Sequence, residues 1–186
     1  HSSFEKTDLQ RSREFLEQLT GQPVEGFRMA RMMPVDEKDI KNAGYTYNSS
    51  LNPTFIPGRY NHLDKPRTYF YKEKVLQLPA SVAPAFRLPL FWLTYHNLPA
   101  KVYRWLFYRT LKHDGYAITY FHPWEFTNLK AHKEEWKLPF IMTNHSGEGM
   151  VRRLDNLISF LLKKKYSFAT CKEFKQHIQA KEQKSE

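Results

Sequence analysis

The chain has 186 residues, 41% of them apolar, a size that fits one domain and a composition ample for a buried core. Its 29 Lys and Arg against 19 Asp and Glu leave a formal charge of +10, which suits an anionic partner such as nucleic acid, a membrane surface or an acidic polymer without choosing among them. The single cysteine, Cys171, excludes an internal disulfide and a zinc site built on two thiols, and no stretch approaches the ~20 apolar residues of a membrane span.

Thr7 or Asp8 is placed to cap a first helix, whose apolar stripe is Leu9, Phe15, Leu16 and Leu19 and whose stop is Gly21 with Pro23. A short strand is predicted over residues 24–29. Acidic residues after Pro34 suit the first turn of a second helix, with Ile40 and Ala43 on one face and Gly44 as its end, and residues 45–47 read as another strand. Residues 48–99 are broken by seven prolines and leave room only for short strands such as 75–78; a stretch of this kind builds or covers a binding surface.

Residues 101–112 form an amphipathic helix, with Val102, Trp105, Leu106 and Arg109 spaced by three and four, closed by Asp114-Gly115 and followed by a strand over 116–121. A long helix begins at Ser146 to Gly149 and presents Met150, Leu154, Leu157, Ile158, Leu161 and Leu162. Residues 166–169 read as one more strand. Thr170-Cys171-Lys172-Glu173 has capping-box spacing for a last helix that fades into a polar tail over 179–186. The lysines at 163, 164, 165, 172, 175, 181 and 184 read as a solvated face. Helix and strand alternate four times, which favours an α/β architecture with parallel strands joined by crossover helices, as one unit over 1–178.

Three segments carry candidate chemistry. Phe121-His122-Pro123-Trp124-Glu125 places a histidine where a predicted strand ends and proline prevents its continuation, so that the ring either projects into a cleft or is satisfied by a nearby carbonyl. Gly26-Phe27-Arg28-Met29-Ala30-Arg31 alternates arginine with apolar residues; an inward arginine needs an anion, and an outward one rests its stem on the surface. The third is His1-Ser2-Ser3, a terminal histidine that says little by itself.

Taken in order, these segments resemble the polysaccharide deacetylases of carbohydrate esterase family four, specifically the bacterial subgroup associated with exopolysaccharide and capsule loci. His1-Ser2-Ser3 is similar to the end of the family's His-x-x-x-His-Ser/Thr motif, and Leu19-Thr20-Gly21-Gln22-Pro23-Val24 and Gly26-Phe27-Arg28 follow in register. Further on, Gly44-Tyr45-Thr46-Tyr47-Asn48-Ser49-Ser50 is similar to Gly-Tyr-x-Tyr-Asp-Ser-Ser, Leu76-Gln77-Leu78-Pro79 to a Glu-x-Pro strand, and His122-Pro123-Trp124-Glu125 to His-Pro-Trp-Glu. Asn48 stands where relatives have an aspartate, and Ala30-Arg31 departs from their proline-containing arginine motif.

The resemblance implies a partial, distorted seven-stranded (β/α) barrel whose N-terminal strands are missing from this chain. It implies a hydrolase that removes N-acetyl groups from an amino-sugar polysaccharide or its precursor with a divalent metal, zinc above all, held by one aspartate and two histidines. On that reading His1 is a metal ligand, His122 the acid, Arg28 the residue that orients the base, and Tyr120, Phe121, Trp124 and Asn48 line the substrate. The two aspartates and the first histidine of the family would precede residue 1, so the chain by itself is expected to be a poor catalyst that holds no metal tightly. The expected partner is an N-acetylated polysaccharide or oligosaccharide, not nucleic acid, in a bacterial cytoplasm or envelope; no signal peptide is visible. The competing class is a non-catalytic carbohydrate-binding protein with a basic, aromatic surface.

Overall fold

The computed structural model describes residues 5–184. In chain order it contains helix α1 (Lys6–Thr20), strand β1 (Gly26–Phe27), helix α2 (Glu37–Asn42), and strands β2 (Tyr47–Asn48), β3 (Phe55–Ile56), β4 (Tyr60–Asn61), β5 (Phe70–Lys72) and β6 (Val75–Gln77). Helices α3 (Trp92–Asn97), α4 (Ala100–Asp114), α5 (Phe140–Thr143), α6 (Glu148–Lys163) and α7 (Cys171–Glu182) follow. These elements fall into two compact units: one takes the chain up to Leu51, Thr68–Pro79 and the residues from Ala169 on, and the other takes Asn52–Arg67 and Ala80–Phe168.

The first unit is built on a sheet of order β1-β2-β6-β5. The pairs β1 with β2 and β2 with β6 are parallel, as the alternation of helix and strand in the sequence requires, whereas β5 and β6 form an antiparallel hairpin. Among the described residues this sheet stays at four strands. Gly26 faces Tyr47 across the first pair, and a Cβ at position 26 would collide with the tyrosine ring, so glycine is what lets the two strands close. The hairpin turns on Glu73 and Lys74, both with positive φ (51° and 65°), a conformation usually assigned to Asn-Gly.

Leu9, Ile40, Ala43, Tyr45 and Val75 form the apolar centre of this unit. Helix α1 reaches it through Leu9 alone: Phe15, Leu16 and Leu19, the rest of the expected stripe, are exposed. The cap of α1 is Glu5, not Thr7 or Asp8, with Asp8 accepting from the Glu5 N–H at 3.1 Å. At α7 the expected capping box is present, Thr170 Oγ1 accepting from Glu173 N–H at 3.2 Å and Glu173 Oε2 from Thr170 N–H at 2.7 Å. The lysines of α7 are not all a solvated face. Lys175 is buried, donating to Glu25 Oε2 at 2.6 Å and Thr46 Oγ1 at 2.9 Å, and Lys172 lies 2.9 Å from Glu25 Oε1. Lys175 first and Lys172 second hold the Glu25 carboxyl below the usual glutamate range.

Among the described residues, the second unit joins helices α3 to α6 by long irregular stretches and holds the β3-β4 hairpin. Leu90, Tyr95, Tyr103, Phe107, Leu111, Met150, Leu157 and Leu161 form its core. Helix α4 is rotated from the expected phase: Val102 and Trp105 are exposed, and Tyr103, Phe107, Thr110 and Leu111 face inward. The reason is aromatic packing, with Tyr103 stacked on Phe107 at 5.9 Å and edge-on to Tyr95 at 4.6 Å, while its hydroxyl donates to the Leu90 carbonyl at 3.0 Å. On α6 the face is narrower than expected, since Met150, Leu157 and Leu161 are buried while Ile158 and Leu162 are exposed.

Residues 116–121, expected as a strand, belong to no ladder. The backbone bonds outside any sheet: Ser81 N–H donates to the Ile118 carbonyl and Ile118 N–H to Ser81 Oγ, each at 2.8 Å. Residues 166–169 likewise form no strand. Arg67 grips Asp114 at the end of α4 through both guanidinium nitrogens, a mostly buried pair that ties an otherwise irregular loop to the helix.

Candidate functional site

The best-organised polar group of the protein lies in the second unit and begins with local chain chemistry. Pro123 confines His122 to an extended conformation (φ −117°, ψ 147°) and then occupies the first position of a tight 3-10 turn over Pro123–Phe126. Glu125, two residues further on, folds its carboxylate back: Oε1 accepts the His122 backbone N–H and contacts His122 Nδ1, both at 2.7 Å. One carboxylate oxygen therefore fixes the backbone and the ring of the same histidine.

The other oxygen, Oε2, faces Nε2 of His96 on α3 at 3.3 Å. His96 Nδ1 in turn donates to the Asn144 carbonyl at 2.6 Å, and the Asn144 amide returns a bond to the His96 carbonyl at 3.1 Å. Glu125 and His96 are both wholly buried, whereas the His122 side chain is 41% exposed. The group thus runs from a closed interior to a ring that solvent reaches.

Aromatic side chains frame that ring. Trp124 stacks on His122 at 5.3 Å and 17°, Trp92 meets it edge-on at 5.9 Å, and Tyr120 edge-on at 5.8 Å. Trp92 and His96 are four residues apart on α3 and so share a face, which brings both against Trp124. Tyr120 also stacks on Phe91 at 5.2 Å and receives a hydrogen bond from Asn52 Nδ2 at 3.2 Å. Phe121 does not join them. Side chains alternate along extended backbone, and Phe121 packs on Tyr95 and Phe126 in the core.

Of the residues singled out in the sequence, the structure therefore gathers Tyr120, His122 and Trp124. Arg28 and Asn48 belong to the first unit. Arg28 is exposed. Asn48 is buried and spends its amide on the sheet, donating to Gln77 Oε1 at 3.1 Å across the β2-β6 pair and accepting the Ser50 N–H at 3.1 Å. The carboxylate that partners His122 within the second unit is that of Glu125. His1 lies outside the described residues. Sequence reasoning missed His96 and Trp92 because residues 48–99 read as irregular, yet their i,i+4 spacing was a usable signal. The i,i+3 spacing of His122 and Glu125 was another.

Among the described residues no three His, Cys, Asp or Glu side chains converge to hold a metal ion. The Cys171 thiol is pushed up by burial, an effect the charge of Arg28 partly offsets, which favours the thiol over the thiolate. No helix among the described residues is long and apolar enough to cross a membrane.

The fold and site define a mixed α/β protein that carries a buried carboxylate between two imidazoles, one of them open to solvent. Comparison with known proteins finds no matching family model, no similar curated protein and no similar solved structure.

Proposed function

We propose that this chain carries the acid side of a metal-dependent hydrolase that removes N-acetyl groups from an amino-sugar polysaccharide or its precursor. The observation that supports it most is the state in which Glu125 holds His122. With Nδ1 spent on the carboxylate, Nε2 is the atom through which a half-exposed ring can exchange a proton with a ligand. In amide hydrolysis the C–N bond breaks as the leaving nitrogen takes up a proton, and His122, once its exposed Nε2 has gained a proton from solvent, is the group to give it. Trp124 and Tyr120 supply flat apolar walls suited to the acetyl methyl and to the C–H face of a sugar ring. The order of the sequence motifs from Gly26 to Glu125, similar to those of polysaccharide deacetylases, supplies the substrate class, and the parallel pairing of β1, β2 and β6 is compatible with part of a (β/α) barrel.

When bound, a divalent metal in such an enzyme polarises the amide carbonyl and provides an activated water. A catalytic zinc takes about three protein ligands. The described residues do not fit such a site by themselves.

The test is hydrolysis of N-acetylglucosamine oligomers by the complete gene product, followed with and without chelator. His122→Asn is expected to lower kcat by about 10²–10⁴-fold with KM little changed. Unchanged turnover in that variant, or tight saccharide binding with no release of acetate under any metal, would instead favour the non-catalytic carbohydrate-binding reading.

A further inference from the structure

We infer that one proton is held between Glu125 and His96 in the folded protein, and that His96 is in consequence a positioning residue for His122. The Asn144 carbonyl oxygen can only accept, so His96 Nδ1, 2.6 Å away, carries a hydrogen. Turning the His96 ring over would put a carbon at that distance, well inside the ~3.3–3.6 Å of a C–H···O contact, which fixes the orientation of the ring.

A neutral imidazole has only one N–H. With Nδ1 protonated, Nε2 would present a bare lone pair to Glu125 Oε2 at 3.3 Å, and an ionised carboxylate would present another. Both side chains are wholly buried, so bulk water does not screen that repulsion. A proton must therefore lie along the line between them, on Nε2 as an imidazolium facing a carboxylate or on Oε2 as a carboxylic acid facing a neutral ring.

The other end of Glu125 is consistent with this. Oε1 already accepts the His122 backbone N–H, which is a donor whatever the pH, and also faces His122 Nδ1. Oε1 is filled as an acceptor, and a proton on the carboxyl belongs on Oε2. The same count puts a hydrogen on His122 Nδ1, and Nε2 is left to take up and release a second proton.

In either arrangement of the shared proton the His96–Glu125 pair has no net charge. His122 gains a fixed orientation without standing against an uncompensated anion. Among the described residues, two further ionisable groups bond to the backbone in or beside this turn of α3: His145 Nδ1 donates to the His96 carbonyl at 2.8 Å, and Arg153 to the Tyr95 and Leu98 carbonyls, each at 2.6 Å. The proton inventory stands on these contacts alone, while the consequence for turnover rests on the function proposed above.

The test uses long-range proton–nitrogen correlation spectra of the full chain labelled with ¹⁵N-histidine and ¹³C-carboxyl glutamate at neutral pH. The expected result is either a proton on His96 Nε2 or a protonated Glu125 carboxyl. A bare His96 Nε2 beside an ionised Glu125 would overturn the proposal. Glu125→Gln is nearly isosteric: its amide oxygen can accept from His122 and its NH2 can donate to His96, so the variant should keep the His122 tautomer while His96 Nε2 becomes a plain acceptor. An Nε2 still protonated in Glu125→Gln would likewise refute the shared proton. Should that variant not fold, the wild-type spectrum decides alone. In the deacetylation assay His96→Gln is expected to lower kcat on the order of 10-fold with KM unchanged, the scale of removing a ring's outer hydrogen-bond support. A lost kcat effect with the spectra as expected would reject the positioning role and leave the proton in place.

Discussion

The two units solve the same problem of ordering a chain with short strands in different ways. In the first, order comes from ladders: strands of two or three residues are made sufficient by close backbone approach at Gly26, by the Asn48–Gln77 amide pair and by lysines of α7 closing on Glu25. In the second, ladder bonds are few and order comes from aromatic packing and buried charge, through Tyr95, Tyr103 and Phe107, the Arg67–Asp114 grip and the Glu125 cluster. The lesson is that the unit with the less regular backbone has the more tightly specified polar side chains, and the candidate chemistry is found there. All four tryptophans, Trp92, Trp105, Trp124 and Trp136, also lie in the second unit, so indole fluorescence follows that unit alone and far-ultraviolet circular dichroism follows both.

The sharpest way to break the comparison is Glu125→Ala. It leaves buried His96 unpaired and frees His122, and should destabilise the second unit by about 3–5 kcal/mol, read as an earlier urea transition by fluorescence. A shift under 1 kcal/mol would mean the cluster organises nothing. Arg67→Ala is next, at about 3 kcal/mol by the same probe, because Asp114 is 5% exposed and would lose its bidentate guanidinium, keeping only the exposed His113 ring at 2.8 Å.

In the first unit the expected effects are smaller. Gly26→Ala forces the Tyr47 ring aside and should cost about 1–3 kcal/mol, visible in the dichroism transition more than in fluorescence. Equal movement of both probes would show that the two units melt as one. The smallest effect is acid sensitivity at Glu25. Because its folded-state pKa is lowered, its contribution is complete above the ordinary glutamate range near about pH 4 and disappears as the pH falls through the lower folded value. Glu25→Gln should flatten that part of the stability–pH curve, and an unchanged curve would remove Glu25 as a pH-dependent element of the unit.

What was legible in the sequence was the chemistry of ends and periods. The Thr170–Glu173 box, the stop at Gly115 and the helix faces containing Ile40 and Met150 all follow from side chains that act within one or two turns. The phase of α4 was not legible, since Val102, Trp105 and Leu106 make as good a stripe as Tyr103 and Phe107 until tertiary partners choose between them. Residues 116–121 show why composition misleads for strands. The apolar and β-branched pattern is genuine, but Ser81 and Leu90, which bind this stretch, offer isolated oxygen and nitrogen atoms and not a ladder. The β5-β6 hairpin carried no turn signature because Glu73 and Lys74 fill left-handed positions. At the site, the histidine was found from its place before Pro123, whereas the i,i+4 pair of Trp92 and His96 marks a shared helix face but not the contact with Glu125, 29 residues away.

That span has a kinetic meaning. The link from Glu125 to His122 closes over three residues behind a proline that has already removed most backbone freedom, so it can form during the first, submicrosecond events of chain collapse. The link to His96 closes over 29 residues, against an entropic cost that grows with the logarithm of loop length. By loop length alone, the imidazole that meets the solvent has the cheaper contact to close, and the larger entropic cost falls on the link to the second imidazole.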